Sequence, residues 1–124
     1  MGEISKSLLI RGKKTKRIKG IFDSGASNTY INKRTARYLG LINEDYYRLI
    51  KISNPFTGKI VNTKAWMIGI YINDRWYFVE ASLLENMKDN LIIGQDILQN
   101  ATLKLDFSND KISTRGKIRR IKRI

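Results

Sequence analysis

The chain of 124 residues contains no cysteine and no histidine. Disulfide bonds, thiol nucleophiles, Cys/His zinc fingers and Ser-His-Asp triads are therefore excluded. Carboxylates, hydroxyls and lysines remain as the groups that could catalyse a reaction. We accordingly expect no metal ion and no cofactor.

Long hydrophobic runs are also missing. The longest nearly apolar segment, residues 65–72, is much too short to cross a bilayer. Residues 1–20 alternate apolar and cationic side chains and lack the continuous apolar stretch of a secretory signal. We expect a protein with no membrane span and a cytoplasmic location.

Acidic residues are scarce, with 11 Asp+Glu against 24 Lys+Arg and a net charge of +13. Most of this excess lies in residues 1–20 and 115–124, whereas the aromatic residues lie in the nearly neutral segment between them. Nucleic-acid-binding surfaces usually combine cations with aromatic side chains. The basic termini are therefore interpreted either as solvated charge or as a contact for an anionic partner such as nucleic acid. We divide the chain into one domain, residues 1–114, and a basic C-terminal tail, residues 115–124.

Short apolar and β-branched segments alternate with turn residues along the domain. This pattern is typical of an all-β barrel or sandwich with one or two short helices. Strands are predicted at residues 4–10, 18–22, 49–53, 59–63, 66–72, 75–80, 91–93 and 102–107. A first helix is predicted between Asn32, as N-cap, and Gly40, and a second at residues 96–99. Tight hairpins are predicted at residues 54–58 and at Asn73-Asp74.

The segment Asp23-Ser24-Gly25-Ala26 follows directly after an apolar strand. A carboxylate at the end of a buried strand requires hydrogen-bond donors or a functional reason, because its desolvation is unfavourable. Gly25 allows a sharp turn and the close approach of a ligand. By itself the segment also fits an ordinary turn, since Asp, Ser and Gly are common turn residues.

A second segment, residues 91–98, places two isoleucines and Gly94 before the second predicted helix. With Asp23-Ser24-Gly25-Ala26 some 70 residues earlier and a hairpin between the two, the sequence resembles the retropepsin-like aspartic proteases over roughly residues 4–112. The resemblance implies a closed β-barrel that forms a two-fold symmetric homodimer. It also implies that Asp23 from each copy supplies one of two catalytic carboxylates sharing a proton.

Further roles are implied by the resemblance at matching positions. Ser24, Gly25 and Gly94 would support the catalytic loop, with Gly94 packing closely behind it. Substrate contacts are implied for the catalytic loop, for the flap tip and for Ile92, which could equally be a core residue. The full set is Gly25, Ala26, Ser27, Phe56, Thr57, Gly58 and Ile92. Ser27 and Gln95 replace an Asp and an Arg that are frequent in the family, so an ion pair between these positions is absent. Asp96 is expected to be a helix N-cap or a structural partner.

The function that follows is an aspartic endopeptidase, active on the acidic side of neutral, that cleaves peptides between apolar or aromatic residues. Two alternatives remain open at this stage. One is a small basic β-barrel that binds nucleic acid without catalysis. The other is an inactive relative that serves as a peptide-binding or dimerisation module.

Overall fold

A computed structural model describes residues 3–43, 46–100 and 103–114. Strands and two short helices make up this part of the chain. In order they are β1 (Glu3–Arg11), β2 (Thr15–Asp23), β3 (Thr29–Ile31), α1 (Lys33–Tyr38), β4 (Arg48–Ser53), β5 (Ile60–Ile72), β6 (Arg75–Leu83), β7 (Leu91–Ile93), α2 (Gln95–Asn100), β8 (Leu103–Asp106) and β9 (Lys111–Thr114). The basic tail, residues 115–124, lies outside the described residues.

Six of the strands form a closed barrel in the order β1-β2-β7-β3-β6-β5. It closes where β5 returns to β1, with Ile10 opposite Ile70 and Arg11 opposite Gly69. Two pairings, β2 with β7 and β3 with β6, are parallel, and the other pairings in the barrel are antiparallel. The expected closed all-β barrel with short helices is thereby confirmed.

Alternating side chains on each barrel strand point into one hydrophobic core. Trp66 and Phe22 are the largest of its fully buried side chains, and isoleucines from β1, β5 and β7 surround them. Burial of a large apolar side chain stabilises the fold by about 1.5–3 kcal/mol. The strand that leads to Asp23 is thus anchored by Phe22, which is 0% exposed.

The turns follow their sequence signals. Asn73 and Asp74 adopt positive φ angles of 48° and 69°, as a two-residue hairpin with a type I′ turn requires. At α1, the Asn32 side chain accepts a hydrogen bond from the Thr35 N–H over 2.8 Å, and Gly40 follows with a φ of 78°. The predicted hairpin turn and both ends of the first helix are confirmed.

Three features differ from the sequence prediction. The short strand β3, Thr29–Ile31, was not predicted. Residues 59–63 and 66–72 were predicted as separate strands, but Ile60–Ile72 is one continuous strand. It pairs with β4 in its first half and with β6 in its second, so no turn is needed between the two segments. A strand at Lys111–Thr114 was not predicted, and it forms a separate two-stranded sheet with β8.

Candidate active site

Asp23 is the last residue of β2 and lies half-buried at the end of the barrel. Its Oδ1 accepts a hydrogen bond from the Gly25 N–H over 2.8 Å, and its carbonyl accepts one from the Ala26 N–H over 3.1 Å. These two bonds make the segment 23–26 a tight turn. Only the first of them reaches the carboxylate, which the Gly25 N–H stabilises as a direct hydrogen-bond donor.

The turn is held from behind by the start of α2. The Gln95 N–H donates to the Ala26 carbonyl over 2.8 Å, and the Asp96 N–H donates to the Ser27 carbonyl over 3.2 Å. The side-chain amide of Gln95 donates to the Ser24 carbonyl over 2.9 Å. The backbone carbonyl groups of Ser24, Ala26 and Ser27 therefore all accept hydrogen bonds from α2.

Gly94 lies against the same turn. A Cβ atom at this position would lie 2.6 Å from the Ala26 carbonyl oxygen and still closer to that of Asn28. Both are backbone atoms, which cannot move aside as a flexible side chain can. Only glycine fits here, and the packing that the family resemblance implies for Gly94 agrees with this geometry.

Asp96 connects α2 to β3. Its carboxylate accepts hydrogen bonds from the Thr29 hydroxyl, the Thr29 N–H and the Ile97 N–H, at 2.8–2.9 Å. Burial raises the pKa of Asp96 above its ordinary value, and the hydrogen bonds from Thr29 and Ile97 oppose this shift only in part. Asp96 is thus a structural partner of Thr29, which was one of the two roles expected for it.

A cleft of about 440 Å³ lies between the turn and the flap, the hairpin of β4 and the first half of β5. Gly25, Ala26 and Ser27 line one side of this cleft, and the flap residues Lys51 to Ser53 with Pro55 line the other. These three predicted substrate-binding residues therefore lie on the wall of a cleft next to Asp23. A direct contact with substrate stays a prediction.

The flap tip lines a separate recess of about 590 Å³. Phe56 and Thr57 lie on its wall, opposite residues 83–89. The Asn54 side chain shapes the tip by accepting hydrogen bonds from the N–H groups of Phe56 and Thr57. Gly58 provides the positive φ of 75° that ends the turn and has open space around it.

Ile92 is 5% exposed and belongs to a second hydrophobic cluster beneath the flap. The other members are Ala26, Tyr30, Leu84 and Met87, with Ile52 of the flap packed against them. Ile92 therefore packs as a core residue in the single chain, and its contact with substrate stays a prediction.

Sequence reasoning missed two contributors to this site. Thr29 was not singled out in the sequence. It is 0% exposed in the fold, so its hydroxyl must find a hydrogen-bond partner inside the protein. Gln95 was noted only as a replacement for Arg, and its bond to Ser24 depends on a contact across 71 residues. No pattern of spacing in the sequence signals such a contact.

Within residues 3–43, 46–100 and 103–114, no three acidic side chains come together as a metal site would require. None of the helices in these ranges has the length and apolar character needed to span a membrane.

Comparison with known proteins gives the family. The model of the retroviral aspartyl protease family matches residues 7–118. The chain belongs to this family. Because the match extends past residue 114, the boundary between domain and tail stays a prediction.

Among curated proteins, the chain is 30% identical over 98 residues to "Protein DDI1 homolog" from Leishmania major. The match covers 75% of this chain and only 24% of that relative, so the chain spans about a quarter of its length.

Three solved structures share the fold. The retroviral protease-like domain of Ddi1 from Leishmania major has a TM-score of 0.67 at 19% identity, covering 93% of this chain and 90% of that one. EIAV protease, in complex with the inhibitor HBY-793, has a TM-score of 0.62 at 22% identity, covering 85% and 93%. A retropepsin-like aspartic protease from Rickettsia conorii has a TM-score of 0.57 at 17% identity, covering 86% of each chain. The retropepsin-like fold expected from the sequence is confirmed.

Proposed function

We propose that two copies of this chain form a homodimer that hydrolyses peptide bonds between two Asp23 carboxyl groups. The observation that carries the proposal is the Asp23 turn. A carboxylate at the end of a buried strand is held by the Gly25 N–H, next to a cleft that the flap covers. Each chain supplies one such carboxylate, and aspartic proteolysis requires two.

The chemistry needs one proton shared by the two carboxyls. The ionised carboxylate takes a proton from a water molecule, whose oxygen attacks the scissile carbonyl carbon. The protonated carboxyl donates its proton to the carbonyl oxygen, giving a neutral tetrahedral intermediate. Collapse of this intermediate breaks the C–N bond: the protonated carboxyl gives its proton to the leaving amine, and a hydroxyl group of the intermediate gives its proton to the other carboxylate, which restores the shared proton. Activity on the acidic side of neutral follows, because the second carboxyl must be protonated.

The hairpin of β8 and β9 supports the proposed dimer. Two strands alone are marginally stable and leave both sheet edges unpaired. Leu103, Leu105 and Ile112 pack this hairpin onto the barrel core, while Phe107 remains 45% exposed. Ser24 and β8 line the same cavity of about 450 Å³, so the hairpin lies on the Asp23 side of the molecule. We propose that its edges pair with a second copy.

Replacing Asp23 tests the function. Asp23→Asn in the full chain is expected to abolish cleavage of extended peptides while the protein stays folded and dimeric by analytical ultracentrifugation. Asp74→Asn is the matched control, since it makes the same change in the hairpin between β5 and β6, where Asn tolerates the positive φ. Normal cleavage by Asp23→Asn would contradict the proposal, as would a wild-type protein that is a strict monomer.

Inhibitor binding tests the dimeric cleft, and peptide cleavage separates a protease from a peptide-binding module. A statine-type peptide inhibitor should bind once per dimer in calorimetry, and substrate peptides should be cleaved. A dimer that binds peptides without cleaving them would instead be the peptide-binding module.

A further inference from the structure

Six cationic side chains line a groove between β2 and α1, with a volume of about 640 Å³. We call this the basic groove, and its cations are Lys14, Lys16, Arg17, Lys19, Arg34 and Arg37. It shares no lining residue with the flap-tip recess or with the cleft next to Asp23. None of the residues that line it is acidic.

The fold brings these cations together from two parts of the sequence. The turn between β1 and β2 is fastened to the end of α1, because the Lys14 N–H donates to the Leu39 carbonyl over 3.0 Å. Gly12 packs so closely on this helix end that a Cβ there would lie 2.9 Å from the Leu39 Cβ. The cations of β2 therefore line one groove with Arg34 and Arg37, which belong to the segment that is nearly neutral in sequence.

The charge of the groove is not neutralised within the part of the chain that the structure describes. There the carboxylate ion pairs join Lys6 to Asp110 and Arg48 to Glu80, and neither involves a groove residue. Arg17 donates to the Ser7 carbonyl and Arg34 to the Asn90 side-chain oxygen, which are uncharged acceptors. Unpaired cations crowded into a recess repel one another, and an anionic ligand relieves this repulsion.

An aromatic side chain completes the groove. Tyr38 is 52% exposed, and the Lys16 ammonium lies 4.9 Å from the centre of its ring. In the sequence the aromatic residues lie in a different segment from most of the cations, and we took the two to be apart. For Lys16 and Tyr38 that interpretation is wrong. Cations next to an exposed aromatic ring are the combination that binds a phosphate backbone and stacks a base.

We propose that the basic groove binds single-stranded nucleic acid, with phosphates on the six cations and a base on Tyr38. Arginine forms paired hydrogen bonds with phosphate, and the groove holds three arginines. The exposed Tyr38 ring favours a single strand over a duplex, because the unpaired bases of a single strand are free to stack on it. The proposal is independent of peptide cleavage, because Asp23 does not line the groove.

Fluorescence anisotropy with labelled oligouridylate and oligothymidylate of about 12 nucleotides tests this binding. The full-length double variant Lys19→Gln/Arg37→Gln removes two groove cations. Lys64→Gln/Arg75→Gln removes the same residue types from β5 and β6, outside the groove. A third variant, Lys117→Gln/Arg119→Gln, removes two cations from the tail.

We expect the groove variant to bind about tenfold more weakly at 0.1 M salt. The slope of log K against log salt should become less negative by about 1.4, which is the effect of losing two single-strand phosphate contacts. The β5/β6 variant should keep the affinity of the wild-type protein. Equal losses in all three variants, or a loss confined to the tail variant, would overturn the groove assignment.

Two further arms test the ligand class. Tyr38→Leu should weaken binding about fivefold or more through lost stacking, whereas Tyr38→Phe should bind normally. An oligoglutamate of equal charge should compete poorly with the oligonucleotides. Equal binding by the two Tyr38 variants, together with strong competition by oligoglutamate, would overturn nucleic acid in favour of an acidic protein segment. Asp23→Asn should bind oligonucleotides normally, so failure of the protease proposal and failure of this one are distinguishable.

Discussion

Thr29 donates two hydrogen bonds to Asp96, one from its hydroxyl over 2.8 Å and one from its backbone N–H over 2.9 Å. The two residues are 67 positions apart in the chain. Thr29 follows the Asp23 turn and Asp96 lies in the first turn of α2, the helix that holds this turn, so their contact joins the two halves of the site.

Removing the Thr29 hydroxyl should destabilise the protein in a pH-dependent way. Thr29→Val is expected to lower the free energy of unfolding by about 1–2 kcal/mol near neutral pH, because a buried carboxylate loses a donor. It should also raise the pKa of Asp96 further, since the lost bond favours the charged form.

The sign of the pH effect follows from that shift. A carboxyl with a raised pKa in the folded state binds its proton more tightly when folded, so its stabilising contribution is present at low pH. This contribution is lost as pH rises from 3.8, the ordinary value, through the raised pKa of the folded state. Denaturant unfolding should therefore show a larger loss for Thr29→Val at about pH 7 than at about pH 3. In an Asp96→Asn background this difference should vanish, and a loss of equal size at both pH values would contradict the prediction.

Adding one methyl group behind the turn should damage the site. Gly94→Ala is expected to lower the free energy of unfolding by about 2 kcal/mol and to reduce peptide cleavage, because the new Cβ collides with backbone carbonyls. Gly20→Ala is the control, since its Cβ would meet the flexible side-chain ends of Leu91, Leu8 and Ile93 at 3.2–3.4 Å and no backbone atom among its nearest contacts. Thermal unfolding and kcat/KM should both rank Gly94→Ala as the more harmful change, and the reverse order would refute the packing argument.

Gln95 should act as a positioning residue for the turn. Gln95→Met keeps the length of the side chain but removes the donor to the Ser24 carbonyl. We expect kcat to fall about tenfold with little change in KM, because a small misplacement of a catalytic group slows the reaction without weakening binding. Gln99→Met, at an exposed position of the same helix, should leave both constants unchanged. A rise in KM alone would assign Gln95 to substrate binding instead.

The flap should loosen when its ion pair with the barrel is removed. Arg48 of β4 reaches across β5 to Glu80 of β6, with two N–O distances of 2.6 Å and 2.7 Å. Glu80→Gln should increase hydrogen exchange at the amides of β4, with Glu3→Gln as an exposed control of the same type. The hydrogen bond with Arg48 holds the pKa of Glu80 below its ordinary value of 4.5. The stabilisation is therefore present above that value and lost as pH falls through the lowered pKa. The difference in protection between wild type and Glu80→Gln should accordingly disappear in acid, and a difference that persists there would exclude the ion pair as its cause.

Local patterns in the sequence predicted much of the fold. Strand alternation located β1, β2 and β6, the Asn32 cap and Gly40 bounded α1, and Asn73-Asp74 marked a hairpin. These features depend on residues close in sequence, whose side-chain preferences act on the neighbouring backbone. Features that depend on distant partners were missed, such as the strand β9 and the continuity of β5 through residues 64 and 65.

The candidate site divides in the same way. Asp23, Ser24, Gly25 and Gly94 are recognisable in the chain, because a tight turn with a carboxylate needs particular residues in a fixed order. The partners of that turn, Thr29 with Asp96 and Gln95 with Ser24, exist only once β2 and β7 lie side by side. The basic groove arises similarly, since charge is counted along a sequence but acts through space. Only folding brings the cations of β2 into one groove with Arg34, Arg37 and Tyr38, and so creates a groove from two segments that differ in charge.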